Sequence, residues 1–422
     1  AAAERQRKSD DLASLMHFCV IVSPDRRRPS CRWRAMAETF GLPELILLGG
    51  ALLVFVMQAG FCALEAGVVR TKNAVHVAVK NLVDLFVSIG AFWFVGFGIA
   101  FGVSLGGVVG LPEFAPDAWM GPGGQCFAFY QLAFCGAAAT IVSGAVTERI
   151  RTRAYLTLST VLATLLYPLA AHWAWAFDES GPTGWLGRMG FVDYSGSTII
   201  HGVGAWSALA ILLPLGARRG RFDGQAGEGD APISGNLIFS ALGVIVLWVG
   251  WFGFTAGNAF VQPELIPRIV MNTLLAPVAG GGALLLWQTL RSGVFRVREI
   301  LAATVGALVA VTAGCHLLEP RGAFVIGIGG AVIAIAAAHA LERWRIDDPL
   351  DAVAAHGVAG IWGTLALCFL APSASLPHPP LTQLGVQAIG VVAVGVYAFV
   401  GMSLATYVLR RCGALLVPPH AE

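Results

Sequence analysis

Two histidines carry the chemistry that can be read from this chain. One lies in Ile199-Ile200-His201-Gly202-Val203-Gly204-Ala205-Trp206, the other in Ala354-Ala355-His356-Gly357-Val358-Ala359-Gly360-Ile361-Trp362. A neutral imidazole donates and accepts a hydrogen bond at once, and titrates near physiological pH. A lone histidine on an apolar face is more often a satisfied core residue than a working one. Two at matching places in two similar segments should instead face one another across a common axis, each hydrogen-bonding the other, because an isolated ionisable group in such surroundings is expensive. Their Gly, Ala, Val and Ile neighbours let helices approach closely. The pattern predicts a tight, mostly dry pore with two facing imidazoles. An acidic residue precedes each histidine, Asp193 by eight positions and Asp351 by five. Asp193 stands where a helix N-cap would, so both acids are assigned mainly to structure.

The elements that must hold these histidines are apolar helices. Of 422 residues, 12% are charged and 56% hydrophobic, and the mean hydropathy is +0.72. That charge share is about half that of soluble domains, which excludes a nucleic-acid binder, a disordered protein and an ordinary cytosolic enzyme. A net charge of +2 offers no field to steer a polymeric partner. The 8 cysteines contain no CxxC pair, and Cys62, Cys135 and Cys368 sit in apolar runs as small hydrophobes. Runs of roughly 20 apolar residues, long enough to cross a bilayer, fall at 42–67, 77–102, 126–146, 153–176, 196–216, 233–257, 267–290, 300–316, 321–341, 350–371 and 382–409. The expected fold is therefore an all-α integral membrane protein of eleven transmembrane helices. Spans one to five and six to ten make two halves with a histidine in the last span of each. Because five is odd, the second half must be inverted relative to the first, which puts a shared site near the midplane.

Charge sets the orientation. Fifteen basic residues lie in alternate loops: Arg70 and Lys72; Arg149, Arg151 and Arg153; Arg218, Arg219 and Arg221; Arg291, Arg296 and Arg298; Arg343 and Arg345; Arg410 and Arg411. The intervening loops hold Arg188, Arg268 and Arg321 only. The bias predicts the amino end outside and the carboxyl end inside a plasma or inner membrane. Residues 1–41 break it, with eight basic residues before position 35 on the outer side. They read as a disordered arm or an over-extended start, with Met36 as the native one. Residues 42–409 then form the membrane domain, and 410–422 begin a cytoplasmic tail or a linker.

Aromatic residues gather toward the outer ends of three spans: Tyr130 and Phe134, Trp173 and Trp175, then Trp248, Trp251, Phe252 and Phe254. An interfacial belt accounts for Trp248 and Trp173. It accounts less well for Phe134 and Phe254, which fall below the interface beside the histidine spans. A ring face attracts a desolvating cation by roughly 0.5–2 kcal/mol, so an aromatic cup at the pore mouth would suit a small cation.

These motifs resemble the ammonium transporter family, the Amt/Rh/methylammonium permease group, from about Pro43 to Arg411. Gln58-Ala59-Gly60-Phe61, Leu64-Glu65-Ala66-Gly67 and Arg70-Thr71-Lys72-Asn73 look like that family's first span and following loop. Asp193-Tyr194-Ser195-Gly196 before His201, Gly250-Trp251-Phe252-Gly253-Phe254, and Asp347-Asp348-Pro349-Leu350-Asp351 before His356 are similar to its other signatures. The resemblance implies a homotrimer with one pore per subunit, no cofactor and no enzymatic activity. It implies Trp175, Phe134 and Asn258 as an outer ammonium site, supported by Tyr130 and Trp251. Phe134 and Phe254 would be a gate, and His201 and His356 the pore histidines. Asn258 stands where the family commonly has Ser, Thr255 where it has Asn, and Tyr130 where it has Phe. Trp206 and Trp362 add bulk close behind the histidines.

The residues and the resemblance together lead to one expectation: ammonium, or methylammonium, is recruited by the aromatic vestibule, deprotonated, and passed through the apolar pore. An alternative of the same fold is a sensor that reports ammonium to a fused cytoplasmic signalling domain. A PII-type regulator is a further expected partner. Two other classes predict different chemistry: a haem held between the paired histidines, and a zinc site at Cys315-His316, which lacks two further ligands.

Overall fold

The computed structural model describes residues 40–111, 121–222 and 235–418. The amino-terminal arm with Met36 and the last four residues lie outside them. Among the described residues the regular structure is helical apart from two minimal hairpins, Ser104–Leu105 with Val109–Gly110 and Phe177–Asp178 with Gly181–Pro182, and an isolated bridge between Ile150 and Leu416. The helices are α1 Leu42–Val68, α2 Thr71–Phe101, α3 Pro122–Ala145, α4 Thr152–Trp175, α5 Ser197–Leu215, α6 Leu237–Val261, α7 Pro263–Arg291, α8 Val297–Thr312, α9 Pro320–Arg343, α10 Val353–Leu370 and α11 Pro380–Arg411. Ten of them are long and apolar enough to cross a membrane. The expected eighth span is the exception: α8 has 16 residues, about 24 Å at 1.5 Å per residue. It is buried continuously from Ala302 to Thr312, so its apolar character serves contact with other helices instead of lipid.

The leading helices of the two expected halves, α1 and α6, approach through glycine. A Cβ at Gly60 would lie 2.9 Å from the Gly243 carbonyl oxygen, and one at Gly243 would lie 2.5 Å from the Leu64 nitrogen. Without a hydrophobic driving force between helices in lipid, such backbone contact is a main source of cohesion. The histidine helices share a different irregularity. Both α5 and α10 open on a π-helical turn, Ser197–Gly202 and Val353–Val358, each containing its histidine. These wide turns are rare and cluster at functional sites.

On the face carrying the fifteen loop cations, four loops are tied by one ionic knot. Asp347, before α10, accepts from Arg149 Nη1 (2.8 Å), Arg218 Nε (2.8 Å) and the Arg218 backbone nitrogen (2.9 Å) on Oδ2, and from Arg218 Nη2 on Oδ1 at 3.0 Å. Glu148 accepts from Arg218 Nη1 at 2.8 Å on one oxygen, and from Arg70 Nε (2.9 Å) and Asn73 Nδ2 (2.6 Å) on the other. Burial pushes both carboxyls up, yet the arginine contacts outweigh it and hold Asp347 and Glu148 below their ordinary values. The chain after α11 is clipped to the same place: Arg151 N donates to Leu415 O at 2.9 Å and Val417 N to Arg149 O at 3.0 Å, with Leu415 buried.

Candidate functional site

Asp193 builds the start of α5. Its carboxylate accepts from the backbone nitrogens of Gly196 (3.1 Å), Thr198 (2.9 Å) and Ile199 (2.8 Å), and its own carbonyl accepts from Trp175 Nε1 at 2.8 Å. Burial raises this carboxyl to about 6 despite those donors. Gly196 makes the turn possible: its φ is +95°, and a Cβ there would meet Ile200 at 2.6 Å. The Gly196 carbonyl then receives both Ile200 N (3.0 Å) and His201 N (2.9 Å), which sets the wide turn.

In the second half the capping acid is Asp348, whose Oδ2 accepts from Val353 N at 2.7 Å. It stands eight residues before His356, as Asp193 stands eight before His201. The pairing of Asp193 with Asp351 is therefore corrected. Asp351 adopts a left-handed φ of +54° and contributes its carbonyl to Ala355 N at 2.8 Å, while its carboxyl lines a cavity. Burial raises that carboxyl to about 7, opposed by Arg298.

The two imidazoles meet directly, His356 Nδ1 to His201 Nδ1 at 3.1 Å, with ring centroids 5.1 Å apart. That separation is a hydrogen bond between rings and leaves no place for a haem iron between them. His201 is fully buried, and its Nε2 has no partner among the described residues. The Trp251 ring stacks on it at 5.0 Å and 13°, held by an Nε1 bond to Thr312 Oγ1 at 2.9 Å. Trp251 thus lies at the level of the histidine and not at the entrance. Trp206 and Trp362 also find places against glycine: a Cβ at Gly357 would come within 3.5 Å of the Trp206 ring, and one at Gly329 within 2.4 Å of the Trp362 ring.

Outward of His201 come Phe254, 5.3 Å away between centroids, and Phe134, 4.5 Å beyond Phe254 at 42°. Both are at most 1% exposed, so the two rings stand buried between His201 and the cavity beyond Phe134. Tyr130 braces them. Its ring lies 4.3 Å from Phe134 and its hydroxyl donates to Phe254 O at 2.7 Å, so that hydroxyl is spent on α6 and not on the entrance. Beyond Phe134 a cavity of about 240 Å³ is lined by Trp175, Phe134, Tyr194, Gln131 and Asn258. Asn258 Nδ2 donates to Tyr194 O at 3.0 Å and Ser195 Oγ at 2.9 Å. A carbonyl only accepts, so the amide orientation is fixed and Oδ1 is the atom left to accept. Inward of the pair, His356 lines a cavity of about 40 Å³ with Thr140, Arg298 and Asp351.

Sequence reasoning missed Tyr194, whose carbonyl orients Asn258 and whose ring stacks on His316 at 4.0 Å, and Thr140 at the inner cavity. Neither carries a spacing signal. Asp348 did carry one, the shared eight-residue interval.

Helices of this number and hydropathy, enclosing facing imidazoles between two cavities, define a multi-pass membrane protein with a buried histidine pair in its core. Residues 45–422 match the Ammonium Transporter Family. The chain belongs to that family. It is 38% identical over 390 residues to a Synechocystis protein named as a candidate ammonium transporter, covering 90% of this chain and 72% of that one. It is 36% identical over 338 residues to ammonium transporter Amt2 of Archaeoglobus fulgidus, covering 76% and 69%. Among solved structures, one titled Sensor Amt Protein superposes with a TM-score of 0.86 at 32% identity, covering 90% of this chain and 95% of that one.

Proposed function

We propose that this chain conducts ammonium, as ammonia and a separately travelling proton, from the Trp175 vestibule to the inner cavity. The observation that carries this reading is the Nδ1 to Nδ1 contact of His201 and His356 between a closed aromatic gate and an inner cavity. A bare ammonium ion in so apolar a lumen faces a Born cost of tens of kcal/mol in principle, which a cation–aromatic contact does not return. The ion is therefore recruited by the Trp175 face and Asn258 Oδ1, gives up its proton, and continues as a neutral amine. Potassium has no proton to give and stays outside. The shared Nδ1 proton makes the imidazoles opposite tautomers: the ring donating at Nδ1 has a free Nε2 lone pair, and the other carries its proton on Nε2. A proton arriving at His201 Nε2 can thus be matched by one leaving His356 Nε2.

In this reading α8 crosses as well, giving eleven spans with the amino end outside and the carboxyl end inside a plasma or inner membrane. Residues 42–409 form that domain, three copies assemble as a trimer, and a PII-type protein is a candidate regulator of the inner face. A second reading is favoured by the fit to the structure titled Sensor Amt Protein and by Asn258: the chain binds ammonium and signals without passing it.

Liposomes carrying the chain and pulsed with ammonium separate the two. A saturable current, absent with potassium and absent in a His201→Ala/His356→Ala variant, is expected. If there is neither a current nor a change in an internal pH probe, conduction is ruled out and the sensor reading stands.

A further inference from the structure

A second set of ionisable groups lies inside the helices, away from the pore. Glu65 on α1, Lys80 and Asp84 on α2, Ser143 on α3 and Ser159 on α4 converge, and none is more than 3% exposed. Lys80 Nζ lies 3.3 Å from Glu65 Oε2 and donates to Ser143 O at 2.8 Å. Ser143 Oγ reaches Glu65 Oε2 and Asn81 Oδ1, each at 3.1 Å. Asp84 makes no ion pair with Lys80; its Oδ1 contacts Ser159 Oγ at 2.5 Å. One oxygen of each acid, Glu65 Oε1 and Asp84 Oδ2, has no hydrogen-bond partner among the described residues. The other titratable groups facing the cluster are Tyr155, whose ring lies 5.1 Å from Lys80 Nζ and whose side chain also faces Asp84, Cys135 on α3, and Cys62 beside Glu65 on α1.

Two carboxylates and one ammonium leave a net charge of −1, and an uncompensated charge so deep is costly. The cluster becomes neutral by keeping one proton. Glu65 is the acid in contact with Lys80, so the proton belongs on Asp84, which as an acid can donate to Ser159. We propose that Asp84 is a resident proton site: a neutral carboxylic acid that leaves the Glu65–Lys80 pair balanced and does not exchange its proton during transport. Its place gives it a use that rests on the conduction reading above. A Cβ at Gly144, a residue of the inner cavity wall, would lie 3.6 Å from Glu65 Cγ. The cluster therefore stands directly behind that wall, and the resident proton keeps a net anion from drawing cations toward the pore.

Infrared difference spectra of the membrane-embedded protein test this. Asp84→Asn, the neutral isostere, should lose one protonated-carboxyl carbonyl band while ammonium transport and potassium exclusion stay as in the parent. Glu65→Gln should lose the same band, because the unpaired Lys80 ammonium then draws off the Asp84 proton; this arm holds even where Asp84→Asn fails to fold. An unchanged carboxyl region in either folded variant overturns the proposal. So does loss of transport in folded Asp84→Asn, which would mean that the proton moves. The spectra do not depend on conduction, so their outcome stands apart from that of the liposome experiment.

Discussion

The ionic knot on the loops and the histidine pair in the core are both buried and polar, and they are finished in opposite ways. Around Asp347 and Glu148, four carboxylate oxygens meet guanidinium, amide and backbone donors from three other stretches of chain, near Arg70, Arg149 and Arg218. The histidines make one contact with each other; His201 Nε2 has no partner among the described residues, and His356 opens on a cavity. A satisfied network rigidifies, whereas an unsatisfied group persists only where something else is gained by leaving it so. The difference sets the loop knot apart from the histidine pair without reference to any relative.

The widest break in that comparison is expected from Asp347→Ala, which leaves buried Arg149 without this carboxylate and Arg218 with Glu148 alone, and costs about 3–5 kcal/mol. Thermal unfolding in detergent should show it, whereas His201→Ala/His356→Ala should unfold close to the parent. Equal melting of Asp347→Ala and the parent would remove the distinction. The sign with pH follows from the two lowered carboxyls. Their contribution is complete above the ordinary carboxylate range of about 4 and is lost as pH falls through the lower folded values. The melting gap between the parent and Asp347→Ala should therefore hold from neutrality to about pH 4 and close below it.

A sharper cut is His201→Asp, which replaces a neutral relay with a fixed anion. Potassium uptake into liposomes, absent in the parent, should appear; continued exclusion would count against a dry pathway. The smallest effect is expected from Trp175→Leu, which removes one ring face. Apparent ammonium affinity should weaken by roughly 2- to 30-fold, the equivalent of about 0.5–2 kcal/mol, with potassium still excluded. An unchanged affinity would take Trp175 out of the outer site.

Much of this was legible in the sequence because lipid simplifies the rules. Backbone groups must be satisfied within a helix, so hydropathy located ten long helices, and repeated motifs located the facing histidines. α8 was harder to judge because burial among helices and burial in lipid select the same residues; only length tells them apart. The Asp351 assignment failed because nearness to His356 was taken as the guide, when the conserved interval between the halves is the distance from cap to imidazole, which only Asp348 keeps. Tyr194 was invisible because its contribution is a backbone carbonyl, which any residue type supplies. The Tyr130 hydroxyl was legible as a group but not as a direction.

The bridge of residues 415–417 to 149–151 gives the segment after α11 a mechanical meaning. Arg149 belongs to that pairing and also grips Asp347, so the last described residues are geared to the loop that launches α10. A fluorophore attached at Val417 would ride on this lever. It would report rigid-body tilt of the histidine helix relative to α3, and stay silent to ring flips at Phe134 and Phe254.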